Sequence, residues 1–188
     1  MTSTTTDILG TYARLAGPFG AVVDRLDDVD WARPSPCESW SARDVLDHVV
    51  TTQREFLASH GVGATTSPAV ATDPAAAWRA HDEWMRELLA DPDVAGVTYD
   101  GVFGTTSVGE SIVTFYGFDL VVHRWDIAAA AGLDERFGDD ELDLIETSAE
   151  GFGEHLYDEG VCGPALVPRE GADRQERILA RLGRAVPS

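Results

Sequence analysis

Apolar residues recur at helical spacing through most of this chain, and polar or proline-rich breaks divide the pattern into five helical segments and a short sixth. From Asp7 to about Asp28, Leu9, Tyr12, Leu15, Phe19, Val22 or Val23, and Leu26 form one apolar stripe. Pro18 interrupts it, and a proline's missing donor and ring clash predict a kink or a division into two helices near Gly17-Pro18. Trp31 to Trp40 holds two prolines and several turn residues, which predicts a structured loop. Ser41 with Asp44 predicts a capped second helix, stapled by Trp40 on Val45, with Val45, His48 or Val49, Thr52 and Phe56 inward.

Gly61 to Pro74 is rich in small residues and reads as a loop. Asp73-Pro74 then starts a third helix, with Trp78, His81, Met85 and Leu88 on one side, that stops before Asp91-Pro92. Gly96 to Thr106 reads as a loop or short hairpin turning at Asp100-Gly101. Ser107 and Glu110 form a capping box for a long fourth helix that runs to Gly132. Asp139 caps a fifth, with Leu142, Ile145, Ala149, Phe152 and Leu156 buried. Gly160 to Pro168 is irregular, and a last helix from about Asp173 to Leu182 ends at Gly183. With no convincing strand, the pattern predicts an all-α fold, an up-and-down four-helix bundle with an additional short C-terminal helix.

The 188 residues suit one domain spanning 1–188, with a flexible start at 1–6 and a C-terminal extension at 160–188 packing on the bundle. Thirty-three acidic residues against 14 basic ones give a net charge of −19, which repels nucleic acid and anionic membrane surfaces. Cys37 and Cys162 are too few for a disulfide framework and lack the spacing of a zinc knuckle, so both read as reduced thiols. No basic leader with an apolar run and no stretch of ~20 apolar residues is present, which predicts a cytoplasmic protein.

The fourth helix carries the chemistry. Ile112, Phe115, Asp119, Val122, His123, Asp126 and Ala130 share one face, so ionisable groups interrupt an apolar stripe. Burying an unpartnered carboxylate costs several kcal/mol on the order given for buried charge, so Asp119 and Asp126 need something cationic. Asp119 and His123 stand one turn apart and can converge on one metal ion, with His48 from the second helix as third ligand. Two imidazoles and a carboxylate suit a divalent first-row metal such as Zn²⁺ and leave a position open for water or substrate. The opposing reading makes Asp119 and His123 a mutually satisfied pair. Asp126 reads either as an acceptor that orients a ligand or as the partner of Arg124 or another surface cation. His60, His81 and His155 read as ordinary surface or core histidines, and Cys37 as a buried structural thiol. Phosphate loops, nucleophile elbows and His-Glu-x-x-His helices are absent from the sequence.

Three segments carry a resemblance to a known family: Pro34 through His48, Asp119-Leu-Val-Val-His-Arg-Trp-Asp-Ile-Ala, and Asp173 through Arg184. Together they resemble the DinB-like metalloenzyme superfamily, in the branch near the N-terminal domain of mycothiol-dependent maleylpyruvate isomerase. The resemblance implies a four-helix core and a divalent metal, often zinc or nickel, held by His48, Asp119 and His123. In the isomerase the carboxylate ligand is a glutamate and a further C-terminal domain helps build the active site. Here the matching residue is the shorter Asp119, and the sequence shows no counterpart of that domain, so the resemblance implies the metal rather than the isomerisation. Several such relatives use a low-molecular-weight thiol such as mycothiol, which implies a metal-dependent, thiol transferase-like enzyme acting on a small-molecule substrate. Two other readings stand beside it. One is a thiol-independent hydrolase or lyase using metal-activated water. The other is a non-catalytic bundle that binds metal or a small ligand, or forms a homodimer through its aromatic surface.

Overall fold

Side-chain caps start the helices close to where the sequence places them. The computed structural model describes residues 7–63, 68–101, 104–158 and 160–186. Asp7 accepts the Gly10 amide at 2.9 Å and opens α1 (Ile8–Val23). Ser41 and Asp44 cap α2 (Ala42–Ser59) reciprocally, and Asp73 followed by Pro74 opens α3 (Pro74–Ala90). A single turn, α4 (Pro92–Ala95), precedes an antiparallel hairpin of β1 (Thr98–Gly101) and β2 (Gly104–Ser107). Then come α5 (Val108–Val113), α6 (Phe115–Ala130), α7 (Asp139–Phe152) and α8 (Arg174–Arg181).

Several expectations need correction. Of the two outcomes expected at Pro18, a kink or a division, the division does not occur: Pro18 lies inside a single α1, where Leu15, Ala16, Phe19, Val22 and Val23 on both sides of it are buried and packing holds the segment together. The helix also stops at Val23 rather than near Asp28. Asp27 instead accepts the amides of Val29 and Asp30 at 2.8 and 2.9 Å, an aspartate turn that competes with helix. The fourth segment is two helices, broken at Thr114. Ile112, Val113 and Thr114 are three β-branched residues in a row, and the Thr114 hydroxyl turns back to the Glu110 carbonyl at 2.7 Å. Gly138, not Asp139, caps α7, with its amide held by Glu141. The short hairpin expected between Gly96 and Thr106 does form, supplying strands where none was otherwise convincing, but Asp100-Gly101 lies in β1 rather than at the turn. The connection runs through residues 102–103, which lie outside the described residues, as do the expected flexible start at 1–6 and residues 64–67 of the small-residue loop.

The chain is thus mostly helical, as an all-α DinB-like fold requires. Helix α6 is its axis: α1 and α2 both pack on it, and both also pack on α3. Nearly every residue from Gly117 to Ala128 is buried. Gly117 permits the α1 contact, since a Cβ there would stand 2.8 Å from Leu15 Cδ1. Helix α7 covers the outer side of α6, and α8 packs on α7. Among the described residues no helix is long and apolar enough to cross a membrane.

Candidate metal centre

Helices α2 and α6 bring the three sequence-predicted ligands together. Asp119 and His123, one turn apart on α6, face His48 on α2. His123 Nε2 is 3.2 Å from Asp119 Oδ1, and His48 Nε2 is 3.6 Å from Asp119 Oδ2. The second distance is too long for a hydrogen bond, so His48 and Asp119 do not satisfy one another. Donors set tetrahedrally around an ion at the ~2.0–2.2 Å of zinc ligands stand ~3.4 Å apart, close to these two distances, and one donor atom from each of the three residues lies within 4.8 Å of the others. The donor set is thus compatible with a divalent ion. His123 is 6 % exposed, while the side chains of His48 and Asp119 are 27 % and 20 % exposed, so the centre is open on the His48 side.

Behind the three ligands stands a built support. His123 Nδ1 lies 2.9 Å from Asp126 Oδ2, so its Nδ1 proton is held there, and Nε2, turned toward Asp119, is the nitrogen that would bind an ion once its own proton leaves. Asp126 is fully buried and takes two charge-assisted hydrogen bonds from Arg184, Nη2 to Oδ2 at 2.9 Å and Nε to Oδ1 at 3.2 Å. Its cation is therefore Arg184. Arg124 turns the other way, to Glu135 and Glu141 at the start of α7. The Cys37 thiol donates to Asp126 Oδ2 at 3.2 Å and lies 4.0 Å from His123 Nδ1, so this half-buried cysteine belongs to the site's support rather than to an inert core. Arg184 also donates to Cys37 Sγ and Cys162 Sγ, each at 3.5 Å. The Trp40 ring stands 4.9 Å from that of His48.

Arg184 reaches Asp126 because of how α8 ends. Gly183, at φ 80°, donates to the Ala180 carbonyl, and Arg184 N donates to that of Leu179, the paired bonds of a helix-terminating glycine. A Cβ at position 183 would stand 2.9 Å from the Gly163 backbone, so glycine is required twice over.

The environment separates the two histidines. Burial lowers the His48 pKa, outweighing Asp119, and keeps this imidazole neutral. Burial would lower His123 as well, but Asp119, Asp126 and Cys37 outweigh it and raise the value. Against a burial penalty that works the other way, His123 and His48 hold the Asp119 carboxyl below its usual range, and Arg184 and His123 do the same for Asp126.

The other histidines stand apart from this centre. His60 ends α2 with Nδ1 2.8 Å from the Phe56 carbonyl, His81 is buried against Gln53, and the exposed His155 pairs with Asp158. Sequence reasoning missed Arg184 and the closeness of Cys37; the glycine stop before Arg184 was the one local signal.

Two proteins of Mycobacterium tuberculosis, from strains CDC 1551 / Oshkosh and ATCC 25618 / H37Rv and both described as uncharacterized, are each 27 % identical to this chain over 188 residues. Each match covers 96 % of this chain and 99 % of the relative. No solved structure matches at a significant level. The model of one family, the mycothiol maleylpyruvate isomerase N-terminal domain, matches residues 12–128, which include His48, Asp119, His123 and Asp126 but not Arg184. With that match over more than half its length, the chain belongs to this DinB-like family.

Proposed function

We propose that the chain is a metal-dependent enzyme that holds a zinc or nickel ion through His48, Asp119 and His123 and joins a low-molecular-weight thiol to a small electrophile. One observation carries the reading: two imidazole Nε2 atoms face a single carboxylate at ligand spacing, on a centre open to solvent at one side. An up-and-down four-helix bundle is supported by the closed circuit of contacts α1–α6–α2–α3–α1. When bound, the ion supplies Lewis-acid polarisation that lowers the pKa of a thiol in the open position.

The chain's own residues do the rest. Asp126 keeps the proton of His123 on Nδ1, and Arg184 keeps Asp126 ionised and fixed. Trp40 packs against the His48 ring in a tilted contact and restricts it. A thiol cosubstrate is supported by the family's association with mycothiol. It also suits a cytoplasm that would keep Cys37 and Cys162 reduced.

The test is conjugation of mycothiol to monochlorobimane by zinc- or nickel-loaded protein, followed by fluorescence. The sulfur–carbon bond forms as chloride leaves and the thiol proton passes to solvent. Metal-dependent turnover that falls at least tenfold in His48→Ala is expected. Equal turnover in that variant, or turnover that needs no thiol, refutes the reading.

A further inference from the structure

We propose that the open aromatic cavity next to the metal centre binds the apolar body of a small uncharged or cationic molecule. Its use as the anchor of the electrophilic substrate rests on the function proposed above, whereas the binding itself does not. The cavity measures about 930 Å³, within the range of small-molecule sites.

A continuous run of rings forms its wall. Tyr99 of β1 meets His60 at 4.2 Å between ring centres, His60 meets Phe56 at 4.5 Å, Phe56 meets Tyr116 at 5.0 Å, and Phe115 links Tyr116 to Phe152 of α7 at 5.0 and 5.5 Å. Phe115 is 49 % exposed, a large apolar side chain at the edge of a hollow rather than in a core.

The cavity's charge selects the ligand. Its described lining holds no arginine, and the chain contains no lysine. Asp100 and Asp158 are its acidic residues, and His155 is already paired with Asp158. The Tyr99 hydroxyl and Ser111 Oγ satisfy one another at 2.6 Å, and His60 Nδ1 is held by the Phe56 carbonyl. An anionic ligand would meet two carboxylates and no cation, while a neutral or cationic one meets aromatic faces.

The cavity's position ties it to the chemistry. Tyr116 lies one turn before Asp119 on α6, and Phe56 two turns after His48 on α2. At 1.5 Å of rise per residue, those walls begin roughly 5 Å and 12 Å along the helices from the ligands. A molecule reacting at the metal therefore has the Tyr116 and Phe56 wall of the cavity within reach of an apolar arm.

The probe pair is N-phenyl-1-naphthylamine and its anionic analogue 8-anilino-1-naphthalenesulfonate, titrated into full-length protein by fluorescence. Gly151→Trp is the blocking variant, because Gly151 lines the cavity on α7 and a Cβ there meets nothing within 4 Å, which leaves room for a side chain to start into the cavity. Circular dichroism checks that the variant folds, and Gly151→Ala is the control. Expected are saturable 1:1 binding of the neutral probe, at least tenfold weaker binding of the sulfonate, and at least tenfold loss in Gly151→Trp but not in Gly151→Ala. The neutral probe should bind His48→Ala protein unchanged, so loss of the metal reading and loss of the cavity reading are separable. Equal binding by Gly151→Trp, or equal affinity for the sulfonate, overturns the proposal. So does neutral-probe binding that fades as protein concentration rises through dimerisation, because a second copy would then be the occupant.

Discussion

Breaking the Arg184–Asp126 pair should damage the protein in a way that repairing the charge largely cures. In Arg184→Leu, the Asp126 carboxylate stays fully buried and loses two charge-assisted hydrogen bonds, keeping only His123 and the Cys37 thiol. Removing one partner of a buried ion pair costs about 3–5 kcal/mol, a large part of the ~5–15 kcal/mol that holds a domain of this size together. Asp126→Asn should cost about the same, since it leaves the guanidinium, only 7 % exposed, facing a neutral amide. The double variant leaves neither charge, and the Asn carbonyl can still accept from His123 Nδ1, so its cost should fall to about 2 kcal/mol. Urea unfolding followed by circular dichroism, in chelator to remove linkage to metal, measures all four proteins. Metal affinity, measured by competition with a chromophoric chelator, should still be weakened about 10–100-fold in the double variant, because an amide orients and charges His123 less well than a carboxylate. Single-variant costs that add within about 0.5 kcal/mol would refute the pairing.

Three further outcomes follow from the same geometry. Gly183→Ala should lose at least about 1–2 kcal/mol by urea unfolding, from its φ of 80° and the contact its Cβ would make with Gly163, and should loosen metal binding by displacing Arg184. His81 is buried with Nε2 on Gln53 and Nδ1 unpartnered, and burial, then Arg54, depresses its pKa to about 3. The unfolded chain takes up this proton near pH 6.5 and the folded chain only near 3, so stability is full above pH 6.5 and falls by up to about 5 kcal/mol as pH drops to 3; His81→Gln should flatten that slope in a pH series of urea melts. Trp40→Ala should weaken metal binding several-fold in the same chelator competition by freeing the His48 ring, with little change in the helical signal.

The helix starts were legible because caps are local: Ser41, Asp73, Ser107 and Asp173 each act on residues three positions away. Asp119 and His123 were legible for the same reason, and His48 because a polar residue broke an apolar face. Arg184 and Cys37 meet Asp126 across 58 and 89 residues of sequence, a contact that only the tertiary fold makes. Asp126 had two readings until its cation was known. The Thr114 break and the uninterrupted course of α1 through Pro18 both turned on a balance of local preference against packing that periodicity does not weigh.

The most direct test of the account is the metal content of purified protein, measured by elemental analysis after zinc or nickel reconstitution and dialysis, for wild type, His48→Ala and His123→Ala. The account predicts close to one divalent ion per chain in wild type and its loss in both variants. Wild-type protein that retains no metal would make Asp119 and His123 a structural pair and contradict the proposed centre.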